Sequence, residues 1–275
     1  MLSLRTNVSA LSAQRNLGQT QNALDSSLSK LSSGYRITRA SDDAAGLGVS
    51  TNLMAQIRSY EQATRNANDG LSVVQTAEGA LNETANILTR MRELAMQSAS
   101  DGIGTTERAY IQEETDALIA ELDRIDAVTE FNGTTIFGAA AALTFQVGIR
   151  ETADDFITLD TTAMEVDSTS LAVDTVDLSV DATTSRAALA DIDAAIDSVS
   201  SFRSELGAVA NRLTSVVNTI EVARESVSAA NSRIRDVDIA TETSKMSASQ
   251  VLIQAGVSVL AQANQAPQVA LKLLG

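Results

Sequence analysis

Apolar residues recur every third or fourth position along most of this chain, the pattern of helices with one buried face. The longest run lies late. Ile192, Val199, Leu206, Leu213, Ile220, Val227 and Ile234 fall seven apart, and Ala195, Phe202, Val209, Val216, Ala223, Ala230 and Val237 form a companion apolar series. Together they fill the a and d positions of sustained heptads. They predict one helix on the order of 70 Å long, buried along a seam. Near the start, Leu17, Leu24 and Leu31 also repeat at seven, with Leu28 and Tyr35 at the companion positions four residues after Leu24 and Leu31. Gly34 interrupts that run. Ser41-Asp42-Asp43 then predicts a helix start, with Ser41 as cap and the carboxylates at the positive helix end. The stretch that follows carries Leu47, Met54, Ile57, Val74, Leu81, Leu88, Met91 and Leu94, with a bend or break expected at Asn66–Gly70.

Residues 100–106 (SDGIGTT) are a turn signal, and Ile111, Leu118, Leu122 and Ile125 mark one side of a further helix ending near Thr129. Phe131–Phe137 carries the Asn-Gly hairpin signature between β-favouring residues. Leu143, Phe145 and Val147 alternate with polar residues or glycine as a half-buried strand does, and Phe156–Leu159 is its expected partner. Residues 151–185 differ from both flanks: nine acids, no base and no helical period, so they read as a short solvent-facing excursion. From about Ser244 another helix is expected, striped by Val251, Leu252, Ala255, Val259, Leu260 and Ala263, with more apolar residues beyond Pro267. Both ends are amphipathic, and such ends need a surface to bury against. The pattern gives a mainly α chain: a long-helix bundle or coiled-coil rod with a small β-hairpin region.

Composition narrows the chemistry. The chain has no His, Cys or Trp and a single Pro, which excludes imidazole bases, thiolate nucleophiles, Cys/His zinc sites and disulfides. A net charge of −15 meets nucleic acid or an anionic membrane with a repulsive average field, so neither is an expected partner. No apolar run is long enough to span a bilayer, and residues 1–14 do not read as a cleavable signal peptide. No stretch matches GxxxxGK[ST] or GxGxxG, and Gly46 and Gly48 suit close backbone approach better than phosphate binding. Asp42-Asp43 suits helix capping rather than acid–base work, while Asp236/Asp238 and Asp191/Asp193 lack the remaining positions of a calcium loop. Met54, Met91 and Met96 read as core residues. The expectation is an interaction protein with no enzyme activity, no cofactor and no metal.

Several stretches carry a resemblance. LSSGYRITRASDDAAGL at 31–47 is similar to the N-terminal signature of bacterial flagellins, and ILTRMRELAMQS at 87–98 with TEFNGT at 129–134 resembles their second block. NSRIRDVDIATE at 231–242 and QAGVSVLAQANQ at 254–265 resemble the C-terminal blocks. The similarity spans about 1–148 and 186–275, in order at both ends.

The resemblance implies paired N- and C-terminal helices in an inner domain, built from 1–40 and 238–275. It further implies a rod domain from 41–148 and 186–237, with 149–185 as a minimal variable region in place of the outer domains of larger flagellins. It implies an extracellular filament subunit that self-assembles into a hollow helical polymer for swimming motility, with a hook–filament junction protein or another flagellin-like rod protein as the alternative. Expected partners are other copies of the chain, the flagellar export apparatus, an export chaperone and the filament cap. Assembly and core positions would be Leu17, Leu24, Leu28, Leu31, Leu88, Leu206, Leu213, Ile220, Val227, Ile234, Val251, Val259 and Leu260. The second block further implies a toll-like receptor as host partner, through a surface of Arg90, Leu94 and Glu114.

Overall fold

The computed structural model describes residues 6–139 and 141–274, with side chains described as far as Gln265. Five α-helices dominate: α1 (Val8–Ser33), α2 (Ala44–Ser98), α3 (Thr105–Val128), α4 (Ala182–Arg235) and α5 (Ile239–Leu274). Four short strands lie between α3 and α4: β1 (Glu130–Phe131), β2 (Thr134–Thr135), β3 (Leu143–Gln146) and β4 (Phe156–Leu159). Two compact units result, one from Met1–Ile57 with Glu225–Gly275, the other from Arg58–Arg224. Their boundaries fall inside α2 and α4, whereas the resemblance implied divisions at 40/41 and 237/238.

In the first unit α1 and α5 pair antiparallel. Asn7 Nδ2 donates to the Ala263 carbonyl at 2.7 Å near one end, and Ser27 Oγ donates to Glu242 Oε1 at 2.7 Å near the other. The more covered positions include 10, 13, 17, 20, 24, 27 and 31 on α1, and 242, 246, 249, 253, 256, 260 and 263 on α5. Both sets alternate steps of three and four, the seam of a coiled coil. Asn7 caps α1 by accepting from the Ala10 amide. Gly34 ends the helix in the left-handed region (φ 75°), where a residue with a Cβ would be strained, and its N–H reaches the Lys30 carbonyl. Asp43, not Ser41, caps α2: its Oδ1 accepts from the Gly46 amide at 2.8 Å. Asp42 instead closes the preceding turn, accepting from Thr38 N, Thr38 Oγ1 and Arg39 N. Helix α5 starts at Ile239, earlier than expected, because Asp238 accepts from the Ala240 and Thr241 amides.

The second unit holds the hydrophobic core. Leu81, Leu88, Met91 and Leu94 of α2, Leu122 of α3, and Ile192, Leu206 and Leu213 of α4 are all essentially inaccessible. Helix α2 runs through Asn66–Gly70 unbroken, contrary to the expected bend, and the Asn66 side chain donates outward to the Gln146 carbonyl. Asn132 (φ 52°) and Gly133 (φ 77°) form the tight turn between β1 and β2, the conformation that the Asn-Gly pair favours. β3 and β4 pair antiparallel, Leu143 opposite Leu159 and Gln146 opposite Phe156. Met96 faces solvent rather than the core, because α2 turns its Met91–Leu94–Ala95 face inward.

The acidic stretch 151–185 corrects the sequence reading most. It is not a solvent-facing excursion as a whole. Ile157, Leu159, Thr161, Met164, Val166, Ser168, Leu171, Val173, Val176 and Leu178 are buried, while none of its nine acids is. The buried positions advance by twos, with steps of three where the backbone turns, as at Met164 N to Thr161 O and Val176 N to Val173 O. The stretch forms a strap running antiparallel to α3. Asp126 accepts from the Val166 amide (3.1 Å), Asp123 from the Ser168 amide (2.8 Å), and Gln112 Oε1 from the Leu178 amide (2.6 Å). Its far end is fixed by Ser98 Oγ, which donates to the Leu178 carbonyl at 2.7 Å and accepts from Ser185 Oγ at 3.0 Å.

Candidate functional site

The expected assembly residues divide between the two units in a consistent way. In the second unit, Leu88, Leu206 and Leu213 are fully buried and Ile220 is nearly so. These residues hold the core and are not available to a partner. In the first unit, Val227 and Ile234 of the same heptad series are only half-buried, as are Leu17, Leu24, Leu31 and Leu260. Leu28, Val251 and Val259 are exposed at 56%, 64% and 55%. Val8, Leu11, Leu252, Val257 and Ile239 are also exposed. Each terminal helix therefore turns one apolar row toward its mate and leaves further apolar side chains uncovered.

The signature residues 31–47 and 231–242 meet at the root of this helix pair. Tyr35 and Asp236 form an isolated antiparallel bridge, with Arg36 N donating to the Arg235 carbonyl (2.6 Å) and Val237 N to the Gly34 carbonyl (3.0 Å). Arg36 Nη2 donates to the Ile234 carbonyl, and the Arg235 guanidinium lies 4.2 Å from the centre of the Tyr35 ring. Ile37, almost wholly buried, sits where a side chain at Gly46 would collide with its Cδ1. Ser50, also buried, donates to Asn231 Oδ1 at 2.7 Å. Sequence reasoning found the two blocks but not their meeting: a bridge of one residue pair leaves no alternation to read.

Electrostatically the site is a set of local carboxylate caps. Hydrogen bonds from Thr241 hold Asp238 below the usual carboxylate range, and amides of Arg39 and Thr38 do the same for Asp42. Asp236 and Asp238 thus serve the bridge and the α5 cap, and Asp193 pairs with Arg92 (2.6 Å) on α2. Among the described residues no cluster of three or more His, Cys, Asp or Glu could hold a metal ion, and no helix is long and apolar enough to cross a membrane.

The expected receptor surface is corrected in one member. Leu94 is 2% exposed and belongs to the core, so it presents no anchor to a partner. Arg90 and Glu114 do share a surface: Arg90 Nη2 lies 2.8 Å from Glu114 Oε1, and Arg90 Nη1 2.9 Å from Glu93.

Comparison with known proteins matches residues 4–142 to the bacterial flagellin N-terminal helical region and 189–274 to the bacterial flagellin C-terminal helical region. A flagellin of Halalkalibacterium halodurans is 41% identical over 98% of both chains. The flagellar filament 33 kDa core protein of Treponema phagedenis is 40% identical, and a flagellin of Bacillus subtilis 39%, again over 98% of both chains. Among solved structures, a Bacillus cereus flagellin superposes with a TM-score of 0.50 at 29% identity, covering 57% of this chain and 88% of its own. A putative flagellar hook-associated protein of Vibrio parahaemolyticus shares the fold, at TM-score 0.61 and 14% identity over 71% of this chain and all of its own. The chain belongs to the bacterial flagellin family.

Proposed function

We propose that the chain is a structural subunit of the extracellular flagellar filament and polymerises through its terminal helices. The observation that carries this reading is the apolar surface left on the α1–α5 pair: Leu11, Leu28, Val251, Leu252 and Val259 stay exposed although the helices already cover one another. A contact of this surface with a different surface on the next copy does not close on itself, and repetition extends it into a filament. Burying the stripes also offsets the entropy of ordering two long helices, so assembly and ordering are coupled. In this reading the subunit leaves through the flagellar export apparatus with an export chaperone and is added beneath the filament cap. A toll-like receptor would meet the exposed Arg90–Glu114 pair without Leu94.

Seeded growth from purified chain tests the assembly. Long tubes are the expected result. A finite assembly that stops after a few copies would favour the hook–filament junction reading instead. For the receptor, Arg90→Ala should weaken binding of the soluble chain; unchanged binding would remove this surface from consideration.

A further inference from the structure

Only four described residues of the first unit are buried: Ser27, Ile37, Ser50 and Glu242. Two of them, Ser27 and Glu242, touch each other across the α1–α5 seam, where everything else is half-covered at most. Glu242 is 6% exposed, accepts from Ser27 Oγ at 2.7 Å, and is paired on its own helix with Lys245 Nζ at 3.3 Å. One row of the seam, Ala10, Leu17, Leu24 and Leu31 on α1 with Met246, Ile253 and Leu260 on α5, repeats every seven residues, so a slip of one heptad would leave apolar row against apolar row. The carboxylate does not survive that slip. Moved one way, Glu242 would face Thr20, whose hydroxyl already donates to the Asn16 carbonyl; moved the other way, it would lie beyond Ser33, where α1 ends. The slipped carboxylate keeps Lys245 but loses its donor across the seam, a penalty that a leucine moved to the equivalent place in its row does not incur.

We infer that Glu242, held by Ser27, is a positioning residue that sets the register of α1 against α5. The apolar stripes supply adhesion, and this contact supplies alignment within the seam, between the Asn7–Ala263 hydrogen bond near one end and the Tyr35–Asp236 bridge at the root. The subunit then presents its exposed stripes at one fixed stagger, which a helical polymer requires of every copy. That last step rests on the assembly reading; the register itself does not.

The absence of cysteine makes the register directly measurable. A Cβ at Gly256 would lie 3.2 Å from Leu17 Cδ1, so Leu17→Cys with Gly256→Cys reports the aligned pair. Leu17→Cys with Ser249→Cys, and Leu17→Cys with Ala263→Cys, report a slip of one heptad either way. Oxidative cross-linking would be measured in the soluble full chain and in seeded filaments. The parent should favour the aligned pair by at least about tenfold, as expected for a hydrogen bond to a charged group. Glu242→Leu and Ser27→Ala should each bring a slipped pair up several-fold, and Glu242→Gln, which keeps an acceptor for Ser27, should restore the alignment. An unchanged aligned preference in both Glu242→Leu and Ser27→Ala overturns the inference. So does an equal loss of all three cross-links in Glu242→Leu with Ser27→Ala unchanged, since that marks a role in stability alone. Failure of the parent to polymerise would overturn the assembly reading, while the soluble-chain cross-links would still decide the register.

Discussion

The two units use the same heptad grammar to opposite ends. In the second, the seam residues Ile192, Val199, Leu206 and Leu213 vanish from the surface among α2, α3 and the strap. In the first, the continuation of that series at Val227 and Ile234 is half-covered, and three of the four buried residues are polar. An apolar period therefore marks which face a helix will hide, but not whether its own chain can hide it. The second unit supplies its own partners. The first leaves apolar side chains of α1 and α5 uncovered.

The largest test of this contrast sets Leu206 against Val259. Leu206→Ala should lower the unfolding free energy of the soluble chain by about 2–5 kcal/mol, and Leu206→Asp by more, because a carboxylate then enters a dry core. Val259→Ala should leave soluble unfolding within about 0.5 kcal/mol of the parent while slowing seeded growth. If Val259→Ala melts the soluble chain as Leu206→Ala does, the units do not differ in the way described. Denaturant unfolding followed by a polymerisation assay separates the cases.

Hydrogen exchange sharpens the comparison without any substitution. Amides of α1 and of the described part of α5 should exchange orders of magnitude faster than those of Val73–Ala95 in the soluble chain, and slow markedly in the polymer. Equal protection of both regions in dilute solution would contradict it.

Acid should act with opposite signs at one carboxyl of each unit, Glu242 and Asp126, more modestly. The Ser27 hydroxyl and then Lys245 hold the Glu242 carboxyl below its ordinary value, against the burial that opposes them. A depressed folded value means the contribution is present above the unfolded carboxylate range, at about pH 4.3, and is lost as pH falls through the folded value. Asp126 goes the other way: burial, with Asp167, Glu165 and Asp123 nearby, raises its carboxyl despite the Val166 amide. The folded state then takes up the proton first, so this group's contribution grows as pH falls through the raised folded value toward the unfolded one. Asp126→Asn keeps an acceptor for Val166. It should remove that gain from the acid limb of a pH–stability curve, whereas Glu242→Gln should flatten the acid loss in the α1–α5 pair. The smallest effect is expected at Thr161, whose buried hydroxyl has no hydrogen-bond partner among the described residues. Thr161→Val should be neutral or stabilising, by up to about 1 kcal/mol in thermal unfolding.

The helices, the Asn-Gly hairpin and the β3–β4 pair were legible because each is a local pattern with its own period or turn chemistry. The Gly34 stop and the start of α2 near Asp43 were also legible, although the capping residue was off by two. What escaped was non-local. Leu94 was a surface anchor only by resemblance, whereas its own spacing with Leu88 and Met91 put it on the apolar face that the bundle buries. Residues 151–185 looked exposed because nine acids dominate the composition, while the steps of two and three that bury Val166, Val173 and Leu178 match neither helix nor strand. The Ser27–Glu242 contact joins residues 215 positions apart, and nothing in either local pattern announces it.

The strap on α3 divides this part of the chain into stretches with very different tolerance for change in length. Between Met164 and Leu178 the spacing of inward side chains is locked at both ends, by Asp126 and Asp123 near one and by Gln112 and Ser98 near the other. Losing a single residue there would bring Glu165 or Asp174 toward the core and turn valines outward, as a one-residue slip does in any alternating segment. The turn at 149–152 between β3 and β4 buries no side chain: Arg150, Glu151 and Thr152 are all exposed, and its ties, Gln146 Nε2 to the Arg150 carbonyl and Thr152 Oγ1 to Asp155, are local. Extra sequence can grow there as a side branch, leaving the inward spacing of the strap untouched, so length variation should collect at that turn and be purged a dozen residues later.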